Sequence, residues 1–262
     1  MGTVPELSII FMVISSLAGF AMPVILFIFF RKKKEADILP FFVGCAVMLV
    51  FALILESAVH QIVLGSSVGE RILGNIWLYA LYGGLMAGLF EETGRFIAFK
   101  TVLRKKQDKD VNALMYGAGH GGFEAAVLLG ITMISNIAIA VMINSGNTSV
   151  LTETLSGDTL TQMEAAIEDM TTTAPYMFLI GIIERVFAVT LQIALSVIVW
   201  TAVKNKKRWY LYPAAILIHF IVDAAAVILM HYNVPTLLIE VLVGVMAVLA
   251  AVFAKNLSVK SC

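Results

Sequence analysis

Charged residues are scarce in this sequence. They make up 14% of its 262 residues, whereas apolar residues make up 60% and the mean hydropathy is +0.93. A soluble domain has about 25% charged and about 45–50% apolar residues. Uncharged apolar stretches of roughly 20 residues recur along the whole chain, and each can cross a hydrocarbon core of about 30 Å. This composition argues against a large soluble helical protein.

Cysteine and excess charge are also lacking. The two cysteines, Cys45 and Cys262, are too few for a disulfide framework. Positive and negative residues number 18 each, so the composition gives no reason to expect a nucleic acid as partner. Basic residues follow the first apolar run instead of preceding it, which favours a membrane span over a cleaved signal peptide. We therefore expect the lipid bilayer to surround most of the chain.

Seven apolar stretches are long enough to span a membrane as helices. We predict an all-α polytopic membrane protein with a single transmembrane domain over residues 1–262. As a multi-pass protein it would lie in a cell membrane, which we take to be the bacterial plasma membrane. The predicted spans are residues 7–30, 39–64, 76–103, 111–143, 176–203, 209–230 and 235–254.

Lysine and arginine alternate between the two sides of the predicted spans. The segments after spans one, three, five and seven are basic, whereas the other connections contain a single basic residue, Arg71. Basic loops stay in the cytoplasm, so the pattern predicts an N-terminus outside and a C-terminus in the cytoplasm. The basic segments contain Arg31, Lys32, Lys33, Lys34, Lys100, Arg104, Lys105, Lys106, Lys109, Lys204, Lys206, Lys207, Arg208, Lys255 and Lys260.

The connection over residues 144–174 is long, acidic and without lysine or arginine. Its apolar residues recur at helical spacing, which predicts an amphipathic helix at the membrane surface. Such a helix is either a connector or a lid over a cavity, and the connector is the favoured interpretation. The apolar positions are Leu160, Met163, Ile167 and Met170.

Eleven ionisable side chains lie inside the predicted spans. A charged residue at mid-bilayer costs about 2.5–3.5 kcal/mol, so the isolated set would cost on the order of 25 kcal/mol. These side chains must therefore face the bundle interior, pair with one another or line water, and so large a set predicts a functional site. They are Glu56, His60, Glu91, Glu92, Arg95, His120, Glu124, Glu184, Arg185, His219 and Asp223.

Helical spacing places several of these side chains together. Glu91 and Glu92 precede Arg95 by four and three residues, so the arginine can hold one glutamate by a charge-assisted hydrogen bond. Adjacent side chains point about 100° apart, which lets the other glutamate face a cavity. Two further pairs have the four-residue spacing and share a helix face, namely His120 with Glu124 and His219 with Asp223.

Depth in the membrane brings these motifs to one layer. Each of the two histidines lies about 14–15 Å from the predicted cytoplasmic end of its span, and the glutamates 91–92 lie roughly 17–20 Å from that side. Residues 184–185 fit mid-depth as well. Glu56 and His60 map nearer the outer face, and we interpret them as a separate polar pair.

Imidazole and carboxylate in one buried layer suit two kinds of chemistry. Both are standard ligands of a catalytic zinc that keeps one position open for water. Without a metal, the same groups can act as general base and as stabiliser of a developing oxyanion.

Residues 91–95 (EETGR), 119–124 (GHGGFE) and 219–223 (HFIVD) form three motifs in spans three, four and six. They resemble the motifs of the CAAX prenyl endopeptidases and bacteriocin-processing proteases. The resemblance is strongest to the YhfC branch of intramembrane metalloproteases, to which the PrsW proteases are related. It implies a peptidase that hydrolyses a membrane-embedded or membrane-proximal peptide or protein with a metal- or glutamate-activated water.

The resemblance also implies roles for single residues. Zinc or another divalent metal would be held by His120, His219 and Glu91. The first motif sets its arginine one residue closer to the glutamates than CAAX enzymes do, and this departure weighs against a prenylated substrate. The implied catalytic residues are Glu91, as the first candidate for the base, Glu92, His120 and His219, and the supporting residues are Arg95, Glu124, Asp223 and Glu184.

Two other functions stay open. Buried acid–histidine relays also carry protons, so a proton-coupled transporter is an alternative, although no inverted repeat or matched pair of broken helices is evident. A catalytically silent scaffold of the same fold is another. Residues outside the three motifs, Glu56, His60, Gln192 and Glu240, are interpreted as packing or interface residues.

Overall fold

The computed structural model describes residues 2–259, so Lys260 and Cys262 lie outside the described part of the chain. Short turns, and a one-turn helix at Ser149–Thr152, connect the main helices. These helices are α1 (Glu6–Lys34), α2 (Leu39–Leu64), α3 (Ser67–Leu73), α4 (Ile76–Lys100), α5 (Val111–Asn144), α6 (Asp158–Thr172), α7 (Met177–Lys204), α8 (Leu211–His231) and α9 (Thr236–Val259).

Six of the described helices are long and apolar enough to cross a membrane: α1, α2, α5, α7, α8 and α9. The bent pair of α3 and α4 makes a seventh span if it is counted as one. The predicted all-α polytopic membrane protein is therefore confirmed, with six to seven spans. The orientation of the termini stays a prediction.

The sequence analysis did not predict α3, which is bent by 109° relative to α4. Two N-caps explain the break. The Ser66 hydroxyl accepts a hydrogen bond from the backbone N–H of Gly69, and the Asn75 side chain accepts from the backbone N–H groups of Trp77 and Leu78. Each cap satisfies orphan donors at a helix start, so the chain begins one helix after Ser66 and another after Asn75.

Two helices contain wider π-helical turns. In α2 these turns cover Met48–Glu56, and in α5 they cover Ala126–Ile131. Such turns often occur at functional sites. Both lie beside acidic residues of the predicted spans, since Glu56 ends the first and Glu124 shortly precedes the second.

The chain divides into two compact units. The first comprises residues up to Met22 together with Ala125–Arg185, and the second comprises Pro23–Glu124 together with the residues from Val186 onward. In the first unit, the amphipathic helix predicted in the acidic connection is confirmed as α6. Its Ile167 and Met170 are buried in a cluster with apolar residues of α1 and α5. This packing suits a structured connector, while the single-domain description stays a prediction.

Within the second unit, α4 has its most extensive helix contact with α8. Gly88 permits this contact, because a Cβ there would lie 2.8 Å from the carbonyl oxygen of Ile216 and 3.6 Å from the Cβ of His219. Small residues allow helix backbones to approach closely in a membrane. The close approach brings the polar turn of α4 that follows Gly88 beside His219.

Three buried aromatic side chains pack against one another in the second unit, near its basic connections. The ring centroids of Phe99 and Tyr116 are 4.6 Å apart, and those of Phe99 and Trp200 are 4.9 Å apart, both edge to face. All three residues are at most 2% exposed. The Trp200 indole N–H also donates to the Asp110 carboxylate over 3.0 Å. We call these three rings the aromatic plug.

A salt-bridge clasp joins two of the basic connections. The Asp37 carboxylate lies 2.9 Å from the Lys106 ammonium and 3.1 Å from that of Lys109, and the Asp37 backbone N–H donates to the Asn112 side chain. The hydrogen bonds and positive charge of the two lysines lower the pKa of Asp37 from 3.8 to about 2. The clasp therefore keeps a carboxylate ionised beside α5.

Candidate active site

The first half of the candidate site is built around Glu91 of α4. Its Oε2 atom lies 2.9 Å from Nε2 of His120 on α5 and accepts a second hydrogen bond of 2.8 Å from the Gln192 amide on α7. His219 of α8 is near enough to interact with Glu91 electrostatically. Because both hydrogen bonds end on Oε2, Oε1 is the carboxylate oxygen that can accept a proton from water.

The second half is built around the neighbouring Glu92. The Arg95 Nη1 atom donates to both of its carboxylate oxygens at 2.7 Å, and His219 Nδ1 lies 2.9 Å from Oε1. Glu92 and Arg95 are completely buried. A buried carboxylate of this kind is stabilised only if its charge is compensated and its lone pairs are satisfied, and here both conditions are met. We call Glu91, Glu92, His120 and His219 the Glu–His layer.

Gln192 connects the two halves and was missed by the sequence analysis, which interpreted it as a packing residue. Its Oε1 atom accepts from Arg95 Nη2, while its Nε2 atom donates to Glu91 Oε2 and, over 3.0 Å, to Glu124 Oε2. A depth estimate could have found it. Gln192 precedes the basic end of α7 by about 18 Å, the depth already assigned to the glutamates of α4.

Glycines on α5 hold α7 close enough for these bonds. A Cβ on Gly117 would lie 2.6 Å from the Cα of Ile193, and one on Gly121 would lie 2.9 Å from the Cβ of Gln192. The two glycines are four residues apart, so they form one smooth face of α5, as in other small-residue helix contacts in membranes. This face lets Gln192 reach across the helix contact to Glu91.

Of the residues predicted to support the site, Asp223 and Glu124 adjoin the Glu–His layer, whereas Glu184 belongs to the first unit. The Asp223 Oδ2 atom is 3.5 Å from His219 Nε2, and its side chain is 37% exposed. Glu124 accepts from Gln192 and so adjoins the Glu–His layer. Glu184 forms an ion pair with Arg185, and both belong to the first unit. A supporting role for Glu184 therefore stays a prediction.

Glu56 and His60 form the predicted pair, with 3.1 Å between Glu56 Oε1 and His60 Nε2. His60 Nδ1 lies 2.9 Å from the Tyr82 hydroxyl of α4. The pair is less isolated than expected, because the Glu56 carboxylate interacts electrostatically with Glu91, His219 and Asp223. The two faces of α2 and α4 that meet here could not be identified from depth alone.

The residues of the layer fit a metal in kind but not in arrangement. Imidazole and carboxylate are zinc ligands, and His120 contacts a carboxylate through one nitrogen, as zinc-bound histidines commonly do. His219 has a carboxylate beside each of its nitrogens. However, no three His, Cys, Asp or Glu side chains within residues 2–259 lie close enough together to hold one ion. These side chains do not form a three-ligand site in this structure, and the ligand set His120, His219 and Glu91 stays a prediction.

Fold and site together define a polytopic helical membrane protein with a buried layer of paired glutamates and histidines. A sequence model described as the YhfC intramembrane metalloprotease family matches residues 18–248. The chain belongs to this family. It is 35% identical over 227 residues to the uncharacterized membrane protein YhfC of Bacillus subtilis (strain 168), with 86% of each chain covered. No solved structure matches it.

Proposed function

We propose that this protein is an intramembrane peptidase in which the Glu91 carboxylate activates a water molecule. The observation that carries the proposal is the unequal treatment of two adjacent glutamates. Glu92 is neutralised by Arg95 and His219, whereas both bonds to Glu91 fall on one oxygen and leave the other available. A general base needs a carboxylate that is held in place and still able to accept a proton.

The proposed reaction begins when Glu91 Oε1 accepts a proton from water and the hydroxide oxygen attacks the carbonyl carbon of the peptide. The negative charge that develops on the carbonyl oxygen is stabilised by the imidazoles of His120 and His219. The C–N bond then breaks, and the proton on Glu91 passes to the leaving amine. A carboxyl terminus and an amino terminus are formed, and Glu91 is returned to its starting state.

Burial supports a membrane peptide as the substrate class. The residues of the Glu–His layer are at most 6% exposed, and they lie on helices long and apolar enough to span a bilayer or on the bent pair. Such burial lowers the effective dielectric constant, which strengthens each electrostatic contact in the layer. The substrate would be a membrane-embedded or membrane-proximal protein segment, and the bacterial plasma membrane is the proposed location.

The family is named for a metalloprotease, so the metal dependence of the activity has to be measured. The mechanism proposed above uses only the side chains of this chain. Metal content of the detergent-purified protein should be compared with that of His120→Ala and His219→Ala. Near-stoichiometric zinc in the native protein that is lost in both variants would replace Glu91-activated water with metal-activated water.

The experiment that tests the function compares cells that express the native protein with cells that express Glu91→Gln. New N-termini in the membrane fraction are mapped by mass spectrometry, and a peptide that spans a mapped site then serves as substrate for the purified protein. We expect cleavage to fall by about 10²- to 10⁴-fold in Glu91→Gln, because general acid–base catalysis contributes that much. Glu70→Gln, the same change at an exposed position of α3, is the matched control.

Two results would reject the proposal. One is equal cleavage by native protein and Glu91→Gln, which would show that this carboxylate is not the base. The other is the absence of any site that depends on native protein, together with a proton flux into liposomes that Glu91→Gln abolishes. That second result would favour the transporter alternative.

A further inference from the structure

Gln192 is a neutral side chain that links the two halves of the candidate site. It is 3% exposed and contacts Arg95 on one side and Glu91 on the other. We infer that Gln192 is a positioning residue that orients the Glu91 carboxylate so that Oε1 faces the substrate. The inference rests on the proposed peptidase function and deepens it.

The orientation of the amide is fixed by its neighbours. A guanidinium offers only N–H donors, so the Gln192 Oε1 atom must be the one beside Arg95. Its Nε2 atom therefore faces the carboxylates of Glu91 and Glu124, and both of its N–H groups are used. Neither a hydrocarbon nor a carboxylate side chain of the same length can reproduce this pattern.

The effect on Glu91 follows from which oxygen is engaged. His120 and Gln192 approach Oε2 from two different helices, α5 and α7. Two bonds to one oxygen fix the rotation of the carboxylate, whereas one bond alone leaves the group free to turn about its last torsion. Misplacement of a reacting group by about 1 Å can cost 10²-fold in rate.

The opposite expectation is that Gln192 only fills space between α5 and α7. Its Cβ is packed against the Gly117–Gly121 face, so this possibility has a physical basis. A positioning role and a space-filling role predict different orders of activity loss for the Gln192 variants. If shape alone matters, glutamate is the mildest replacement because it has the size of glutamine. If the donor matters, Gln192→Glu is harsher than Gln192→Met, because it places a second negative charge beside Glu91.

The test measures kcat and KM separately for native protein, Gln192→Met and Gln192→Glu with the peptide that spans a mapped cleavage site. Thermal unfolding in detergent is measured on the same samples. Gln61→Met and Gln61→Glu, at an exposed position of α2, are the matched controls. We expect kcat to fall about 10- to 100-fold in Gln192→Met and further in Gln192→Glu. KM should change less than about 2-fold, because the polar groups of the amide are already engaged by side chains of this protein.

The outcomes separate the two proposals. Cleavage by native protein with an unchanged kcat in Gln192→Met overturns the positioning role and leaves the peptidase function intact. A kcat that follows side-chain size, with Gln192→Glu near the native value, would also overturn the positioning role and leave the peptidase function intact. If native protein cleaves nothing, the peptidase function fails and the positioning role fails with it. If Gln192→Glu does not fold, Gln192→Met and Gln192→Asn decide, since neither adds a charge and a loss of kcat at native KM supports the role.

Discussion

The second unit contains two groups of carboxylates and imidazoles that look alike when each contact is taken alone. The nitrogen–oxygen distances are 2.9 Å in the Glu–His layer and 3.1 Å in the Glu56–His60 pair. Their surroundings differ. His120 is completely buried, whereas the His60 side chain is 30% exposed. The layer is also tied to further polar side chains on α4 and α7, and the pair to the Tyr82 hydroxyl.

The comparison teaches that a contact distance does not by itself identify a catalytic group. In a buried site the effective dielectric constant is low, and fixed dipoles act strongly on a charge that develops during reaction. A partly exposed ion pair is screened and contributes about 0–1 kcal/mol in typical measurements. The Glu–His layer is therefore expected to control the rate, and the Glu56–His60 pair to adjust it.

The largest expected effect is an all-or-none difference in cysteine labelling. It would show which side of the membrane lies nearer to the Glu–His layer and which lies nearer to the Glu56–His60 pair. The alternation of basic residues predicts that the acidic connection is outside and the connection between α4 and α5 is inside. In a protein without its native cysteines, an impermeant reagent added outside should modify Ser156→Cys but not Lys106→Cys. The reverse pattern would invert the orientation and with it the side nearest to the Glu–His layer.

The next effect is on cleavage rate and separates the two groups directly. His120→Ala and His219→Ala should each reduce cleavage by at least about 10²-fold, because a stabiliser of the developing charge is lost. Glu56→Gln and His60→Ala should reduce it by less than about 10-fold, because this pair is partly solvated. Initial rates with the same peptide substrate would measure both. A loss in Glu56→Gln as deep as that in His120→Ala would make Glu56 part of the catalytic site.

A third effect is on stability and concerns the charge compensation inside the layer. Arg95→Met should destabilise the protein by about 3–5 kcal/mol, because it leaves the buried Glu92 carboxylate without its cation. Unfolding in mixed detergents, followed by circular dichroism, would measure this change. Arg71→Met, at an exposed position of α3, is the control. Combining Arg95→Met with Glu92→Gln should restore part of the loss, and a strictly additive result would contradict the pairing.

The smallest effect is expected at the clasp outside the bilayer, and it depends on pH. The pKa of Asp37 is lowered to about 2 in the folded protein by Lys106 and Lys109. A lowered pKa means that the contribution to stability is present above the ordinary value near 3.8 and is lost as the pH falls toward 2. Asp37→Asn should cost no more than about 1 kcal/mol at neutral pH, since the contact is exposed.

Thermal unfolding of native protein and Asp37→Asn over this pH range would check the clasp. The difference between the two proteins should shrink as the pH is lowered from about 4 to about 2, and also in high salt, which screens exposed charges. A difference that grows on acidification would contradict the assigned direction of the Asp37 pKa.

The fold could be predicted well because a membrane constrains the length and apolar composition of each span and the distribution of basic residues between spans. All three can be read directly along the sequence. The first helix, for example, was expected at residues 7–30 and is found at Glu6–Lys34. The same constraints predicted a common depth for Glu91, His120 and His219. In the structure these side chains are buried and near one another, while their depth in the membrane stays a prediction.

What the sequence could not provide is the rotation of each helix about its axis. Depth predicted that Glu56 would be separate, but its carboxylate is buried and near enough to Glu91 and His219 to interact with them electrostatically. Depth alone would have placed Gln192 at the level of the glutamates of α4, but a lone amide in an apolar helix gives no sign of which neighbour it faces. The short helix α3 was not predicted because residues 65–75 contain glycine, serine and charged residues, and its start depends on a local cap at Ser66.

The aromatic plug bears on whether protons can leak across the membrane through this protein. Acids and imidazoles lie in two hydrogen-bonded groups, the Glu56–His60 pair and the Glu–His layer. A continuous file of such groups conducts protons when water reaches both of its ends. Phe99, Tyr116 and Trp200 are packed together at the end near the basic connections, and none is more than 2% exposed. A packed apolar barrier of this kind blocks a file of water and protons. For the proposed peptidase, we expect the plug to let water reach the site from one side without letting protons cross the membrane.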